Sequence, residues 1–198
     1  MLLTARRRGF LGPGPVEAHI DHARAFLPHW RCEGGEDPRW SLDLGSGGGI
    51  PGLVLACDRP GTTWVLLDAN ATRTAFLAAA TAELGLAHRV SVVTARAEEL
   101  GRDPGHRRRY ARVVARAFAR PAVVAECAAP LLEVGGLLLV SEPPEGHGRW
   151  PRDELEQLGL AVVEAEVSTP RIAVLGQRHP CPERFPRRVG IPAKRPLW

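Results

Sequence analysis

Short apolar runs alternate with helical stretches from residue 40 onward. Trp40 to Leu44 is predicted as a strand that stops at a glycine cluster, and Thr63 to Leu67, rich in β-branched and aromatic residues, as a second. Val90 to Val93, Arg112 to Ala115 and Leu137 to Val140 supply three more. Between them, Asn70 to Leu84 carries Phe76, Leu77, Ala80 and Leu84 at helical spacing, with Gly85 placed as its C-cap. Pro121 to Leu132 reads as another helix, ended by Gly135 and Gly136. Strands alternating with helices predict an α/β protein whose mostly parallel sheet is covered on both faces. Leu160 to Val167 and Arg171 to Gly176 are strand-like runs joined only by Ser168, Thr169 and Pro170. That link cannot hold a crossover helix, so these strands form a C-terminal antiparallel hairpin and bring the sheet to seven strands. Residues 1–30 are expected to form a helical leader with one helix, Val16 to Leu27, and residues 31–198 a single domain.

Composition narrows the class without naming it. The 198 residues, 44% apolar and 24% charged, suit an ordinary globular domain with its own core. No apolar run reaches the roughly 20 residues that span a bilayer, and MLLTARRRGF lacks the apolar core of a secretory signal, so a cytoplasmic protein is expected. Cys32, Cys57, Cys127 and Cys181 lie far apart with no CxxC pair, which argues against a bound metal and against a disulfide framework.

The stretch DLGSGGGIPG, Asp43 to Gly52, concentrates the candidate chemistry. A strand ends at Leu44, glycines turn the chain tightly, and Pro51 is placed to open the first turn of a helix. Glycines there let backbone approach a ligand closely. The frame is GxGxG from Gly45, preceded by the acid Asp43, which is the S-adenosylmethionine form of the loop rather than the dinucleotide form. Gly45, Ser46, Gly47 and Gly49 are therefore candidate cofactor residues. Asp68 ends the second strand 23 residues after Gly45, where a carboxylate can accept from both hydroxyls of an unphosphorylated ribose. Ala97 and Glu98 follow the third strand, where the sheet edge would pass the adenine. Five βα units and a terminal hairpin make this the strand order of a Rossmann-like class I methyltransferase fold.

Together DLGSGGGIPG, LLDANATRTAFL (Leu66 to Leu77), ARAEEL (Ala95 to Leu100), YARVVARAFA (Tyr110 to Ala119) and FPRRVGIPAKRPL (Phe185 to Leu197) resemble the RsmG/GidB family, in matching order over residues 40–198. The resemblance implies S-adenosylmethionine-dependent methylation of guanine N7 in small-subunit (16S) ribosomal RNA. It also implies cofactor contacts from Gly45, Ile50, Ala97 and Glu98, and from Arg116 bordering the cofactor. The Arg116 guanidinium suits either the methionine carboxylate or a substrate phosphate. The chain departs from the family pattern at Ala69 and Thr72, where Ser and Lys are usual, and at Ala111, where an Asp is usual. It has Val140-Ser141-Glu142 in place of Leu-Lys-Gly and His22 in place of an Asp downstream of His19, and its leader is short.

Methyl transfer to guanine N7 uses a lone pair that is free at neutral pH, so positioning suffices and no catalytic acid or base is assigned. Charge placement bears on the substrate. Of 26 basic residues 25 are Arg, an abundance that GC-rich coding explains, but their distribution is uneven. Arg102 to Arg120 carries a net +6 and Arg178 to Trp198 a net +5, in a chain whose total is +4. These clusters suit a phosphate backbone and make Arg107, Arg108, Arg109, Arg187, Arg188, Lys194 and Arg195 candidate RNA contacts, with solvated loops the plain alternative. Phe118 is either a stacking platform for a splayed base or a core residue. Ribosomal RNA or a ribosomal particle is the expected partner. Two other readings stay open: a divergent methyltransferase of a small molecule or peptide, and a non-catalytic S-adenosylmethionine-binding partner of RNA. Composition and motifs leave the oligomeric state open.

Overall fold

The computed structural model describes residues 1–32, 34–143, 148–163 and 170–198. Seven strands form one sheet: β1 (Trp40–Leu44), β2 (Thr63–Asp68), β3 (Val90–Thr94), β4 (Tyr110–Ala115), β5 (Leu132–Ser141), β6 (Leu160–Val163) and β7 (Ile172–Gln177), in the order β3-β2-β1-β4-β5-β7-β6. The first five run parallel, and β7 is antiparallel to both β5 and β6. The expected α/β sheet with its antiparallel C-terminal pair is thus present. Residues 164–167 of the predicted sixth strand, together with Ser168 and Thr169, lie outside the described residues.

Helices α3 (Gly52–Asp58), α4 (Ala71–Glu83), α5 (Ala97–Leu100), α6 (Pro121–Ala128) and α7 (Arg152–Glu156) follow β1 to β5 in turn. Side chains alternate across β2, so that Val65 and Leu67 join the core under α5 and α6 while Trp64 and Leu66 join the core under α3 and α4. Burial on both faces explains why β4 contains no exposed residue. Helix α4 starts where Asn70 accepts the amides of Thr72 and Arg73.

Several boundaries differ from the sequence expectation. The leader has two helices, α1 (Leu2–Arg7) and α2 (Val16–Arg24), instead of one over Val16 to Leu27. Its Phe26 and Trp30 are wholly buried, and Trp30 stacks on Trp64 of β2 at 5.0 Å between ring centroids. Arg112 of β4 fixes that strap by donating to the carbonyls of Trp30 and Arg31 at 3.0 and 2.7 Å. Helix α6 stops at Ala128, and a 3-10 turn over Ala129–Leu131 leads straight into β5. Gly135 and Gly136, read as helix terminators, lie inside that strand; Gly135 has φ +87°, and the register against β4 slips between Tyr110 and Arg112. Pro51 is the N-cap of α3, after a cis peptide bond, and does not lie in the helix's first turn. A short helix, α8 (Ile191–Lys194), lies within the chain's basic tail.

The sheet order reverses between β1 and β4, so the loops leaving their C-terminal ends diverge and open a crevice there. The site lies in that crevice.

Candidate cofactor site and its surroundings

Gly45, Gly47 and Gly49 have φ of +78°, +52° and +92°, a region closed to most side chains, and they turn the chain from β1 toward α3. A Cβ on Gly45 would lie 2.5 Å from Cδ2 of Phe118, and one on Gly48 would lie 2.8 Å from the carbonyl oxygen of Phe10. The loop is therefore pressed between the segment after β4 and the leader. Gly52 has no room either, since its Cβ would meet Asp43 Oδ2 at 2.5 Å.

Two cavities meet at Gly45. The larger, about 510 Å³, is lined by Asp68, Ala69, Asn70, Ala97, Glu98 and Phe118, with Ala193 of the tail at its rim. The smaller, about 260 Å³, is lined by Ser46, Gly47, Ile50, His19, Arg73 and Arg116. Of the residues predicted for the cofactor, all but Gly49 line one or the other. Gly49 is redirected to packing: a Cβ there would strike Leu53 at 2.5 Å. Ser46 turns its hydroxyl inward to the Asp43 carbonyl at 3.0 Å, and its amide and carbonyl are taken by Leu67 and Gly49 at 2.9 and 2.7 Å, so it shapes the loop.

Asp68 holds the loop as well as facing the cavity. Its Oδ2 accepts Gly47 N–H at 2.9 Å and its Oδ1 accepts Asn70 N–H at 2.8 Å, with Arg73 at 3.7 Å. Glu98 accepts Gly190 N–H at 2.9 Å, which ties the adenine-side corner to the tail. Arg116 donates to His19 Nδ1 at 2.9 Å, which leaves His19 Nε2–H to donate to the Gly12 carbonyl at 3.1 Å. Burial lowers the pKa of Arg116. His22, beside this pair, shares a 2.6 Å hydrogen bond with Ser141 and is pushed down to about 4 by burial and by Arg116. Ala117, next to Arg116, has φ +54°, a strained conformation for alanine that turns Phe118 onto Gly45.

Asp43 is fully buried beneath the loop. Its Oδ2 accepts Gly52 N–H at 3.0 Å, and its Oδ1 has no hydrogen-bond partner. Burial drives its carboxyl up to about 7 from 3.8. Between these values the folded protein holds a proton that the unfolded chain has released, so raising pH removes stability. Asp43→Asn is therefore expected to melt progressively higher than wild type as pH rises from 4 to 7. His22 acts with the opposite sign below 6.5, but equally in both proteins. A pH-independent difference in melting temperature would place the Asp43 proton elsewhere.

The predicted RNA contacts divide into two groups. Arg107 is half-buried, lies 3.3 Å from Glu183 and spends its guanidinium on the carbonyls of Gly101, Phe185, Cys181 and Pro182, at 2.8 to 3.1 Å. Arg187 grips the buried Glu126 through Nε and Nη2 at 2.9 and 2.6 Å. Neither is free for phosphate, because each compensates buried acceptors that water cannot reach. Arg108 pairs with Glu183 at 2.7 Å, and Arg109 lies 3.8 Å over the Trp40 ring. Arg188, Lys194 and Arg195 are exposed. Phe118 is half-buried: it packs against the core and walls the larger cavity. Sequence reasoning missed the rim residue Ala193 and the leader's Phe10, Leu11 and Gly12, which reach the site only through tertiary packing.

Among the described residues no group of three or more His, Cys, Asp or Glu could hold a metal ion, and no helix is long and apolar enough to cross a membrane. The family described as GidB, rRNA small subunit methyltransferase G, matches residues 26–179. A ribosomal RNA small subunit methyltransferase G of Prochlorococcus marinus (strain MIT 9313) is 39% identical over 82% of this chain and 69% of its own length. The protein of that name from Roseiflexus sp. (strain RS-1) is 39% identical over 88% of this chain and 79% of its own. Among solved structures, the putative methyltransferase yhhF from Escherichia coli superposes with a TM-score of 0.58 at 18% identity, covering 85% of this chain and 88% of that one.

Proposed function

Because this chain belongs to the family of rRNA small subunit methyltransferase G, we propose that it transfers a methyl group from S-adenosylmethionine to N7 of a guanine in small-subunit (16S) ribosomal RNA. The observation that carries the cofactor assignment is the pair of cavities that meet at Gly45, one edged by an acid at a strand end and the other by a guanidinium. The residues fit the group. Asp68 Oδ1 and Oδ2 each keep a lone pair for a ribose hydroxyl beyond their backbone partners. Ala97 and Glu98 border the space for adenine, while Gly47 and Ile50 line the space for the methionine portion. Arg116 has an imidazole rather than a carboxylate as its partner, so its charge is available to the methionine carboxylate.

Bound S-adenosylmethionine supplies an electrophilic methyl group on a sulfonium. A guanine N7 lone pair would be the acceptor, so no residue of the site is needed to take or give a proton. The protein's work is alignment and exclusion of water. Gly45 and Gly47 keep the loop close, Asp68 locks it to β2, and Phe118 shields the junction of the cavities.

For RNA, the exposed Arg188, Lys194 and Arg195 are the best phosphate contacts, because the tail that carries them also supplies Ala193 to the lining of the larger cavity. Replacing all three with alanine is expected to lower the slope of log affinity against log salt by about 2, at ~0.7 per lost phosphate contact on single strands. Binding of small-subunit RNA over a salt series reads this. An unchanged slope rejects the tail as the RNA contact. Transfer of labelled methyl from S-adenosylmethionine to the same RNA tests the activity itself.

A further inference from the structure

Beyond the two cofactor cavities lies a third, about 190 Å³, between the ends of β4 and β5. Ala117, Phe118 and Ala119 line it and also line the larger cofactor cavity, so that segment is the shared wall. The opposite side is made by Glu142, Arg149 and Trp150.

Glu142 is 8% exposed. Its Oε2 accepts Arg149 Nη1 at 2.9 Å, while its Oε1 is buried with no hydrogen-bond partner. Trp150 stands beside it, and its buried indole Nε1–H is turned toward the same carboxylate, short of full hydrogen-bond geometry. Burial raises the Glu142 carboxyl pKa, and the nearby Arg149 opposes the rise. The corner is braced: Trp198 packs edge-on against Trp150 and donates to the Arg149 carbonyl at 3.1 Å. A buried carboxylate oxygen and a buried indole N–H that meet each other this poorly at a cavity wall are both left short of a full partner, which the edge of a ligand can supply.

We propose that this third cavity receives the target base and that Glu142 and Trp150 select guanine by its Watson–Crick edge. The carboxylate accepts N1–H and the exocyclic N2–H, and the indole N–H donates to O6. Guanine alone among the four bases places two donors beside one acceptor along that edge. Adenine and cytosine offer a ring acceptor where N1–H should be, and uracil flanks a single donor with two acceptors. Oε2 keeps a second lone pair beside the Arg149 bond, so both carboxylate oxygens can serve. Holding guanine by N1 and N2 directs the opposite edge, with N7, toward the Ala117–Ala119 wall and the cofactor junction behind it. This assignment rests on the reading of the protein as a guanine N7 methyltransferase, and it adds the residues that choose the base.

The test uses the full chain and a small-subunit RNA carrying either guanine or inosine at the position the wild-type protein methylates. Inosine keeps N7, N1–H and O6 but lacks the N2 amino group. Wild type is expected to prefer guanine by about 10-fold in kcat/KM. Glu142→Gln should lower kcat/KM on guanine by about 100-fold, leave S-adenosylmethionine affinity unchanged, and bring the guanine-to-inosine ratio close to one. Trp150→Phe should lower kcat/KM about 10-fold on both RNAs and preserve the ratio, because both bases carry O6. A wild type indifferent to inosine, or a Glu142→Gln enzyme that keeps the wild-type ratio, overturns the assignment. Should Glu142→Gln not fold, the wild-type ratio and Trp150→Phe still decide it. A wild type that methylates no guanine in the RNA overturns the underlying activity instead, an outcome distinct from loss of selectivity.

Discussion

Arg187→Ala is expected to destabilise the fold by about 3–5 kcal/mol, the cost of removing one partner of a buried ion pair. Glu126 is completely buried, and Arg187 supplies three of its hydrogen bonds, from its own amide, Nε and Nη2 at 2.8, 2.9 and 2.6 Å. Without the guanidinium, the carboxylate keeps only the amide and stays out of water. For a domain of this size the loss corresponds to a fall of roughly 6–20 °C in melting temperature. Arg187→Lys should recover part of it, since an ammonium cannot make the paired contact of a guanidinium. Replacing Glu126 and Arg187 together with leucine should recover more, because no charge is then left buried. A variant that melts like wild type while losing RNA affinity would return Arg187 to the RNA surface.

Asp68→Ala is expected to weaken S-adenosylmethionine binding at least ~10-fold, as the loss of a charged hydrogen-bond partner is worth about 1.5–3 kcal/mol. Two effects act together in this variant. The ribose loses its acceptor, and Gly47 N–H and Asn70 N–H lose theirs, which frees the glycine loop from β2. Asp68→Asn keeps one acceptor oxygen and should bind with intermediate affinity. Calorimetric titration of both variants measures the effect, and unchanged affinity would remove Asp68 from the site.

Where a signal was local, the sequence showed it. Helix α4 begins where the Asn70 to Leu84 pattern placed it, with Asn70 as its N-cap, and the glycine loop turns where three glycines allow positive φ. The separation of parallel strands from a terminal antiparallel pair was legible because a three-residue link cannot carry a crossover. The bend at Gly135 and Gly136 was not legible, since a glycine pair after apolar residues signals a helix stop and a strand bulge equally well. Helix α1 has no side-chain cap and is held by packing, with Ala5 fully buried.

The basic clusters teach a similar lesson about the site. Their existence is a fact of sequence, but Arg187 meets a carboxylate 61 residues away, and Arg107 meets carbonyls 74 to 78 residues away. No local pattern distinguishes such an arginine from Arg188, its exposed neighbour. Glu142 stood out only as an acid in Val140-Ser141-Glu142, where the family resemblance led to the expectation of Leu-Lys-Gly. The cavity it borders is assembled from β5, the segment after β4, α6 and the Arg149-Trp150 pair, with Trp198 packed against Trp150.

The central claim is methylation of guanine N7 in small-subunit ribosomal RNA, and mapping the modified atom tests it most directly. Small subunits from a strain lacking this methylation are incubated with the protein and S-adenosylmethionine, then treated with borohydride and aniline, which cut the chain at N7-methylguanine. The account predicts one new cleavage at a single guanine of the 16S RNA, absent without the cofactor. Methyl label that enters the RNA without creating a cleavage site, or no label in the RNA at all, would contradict it.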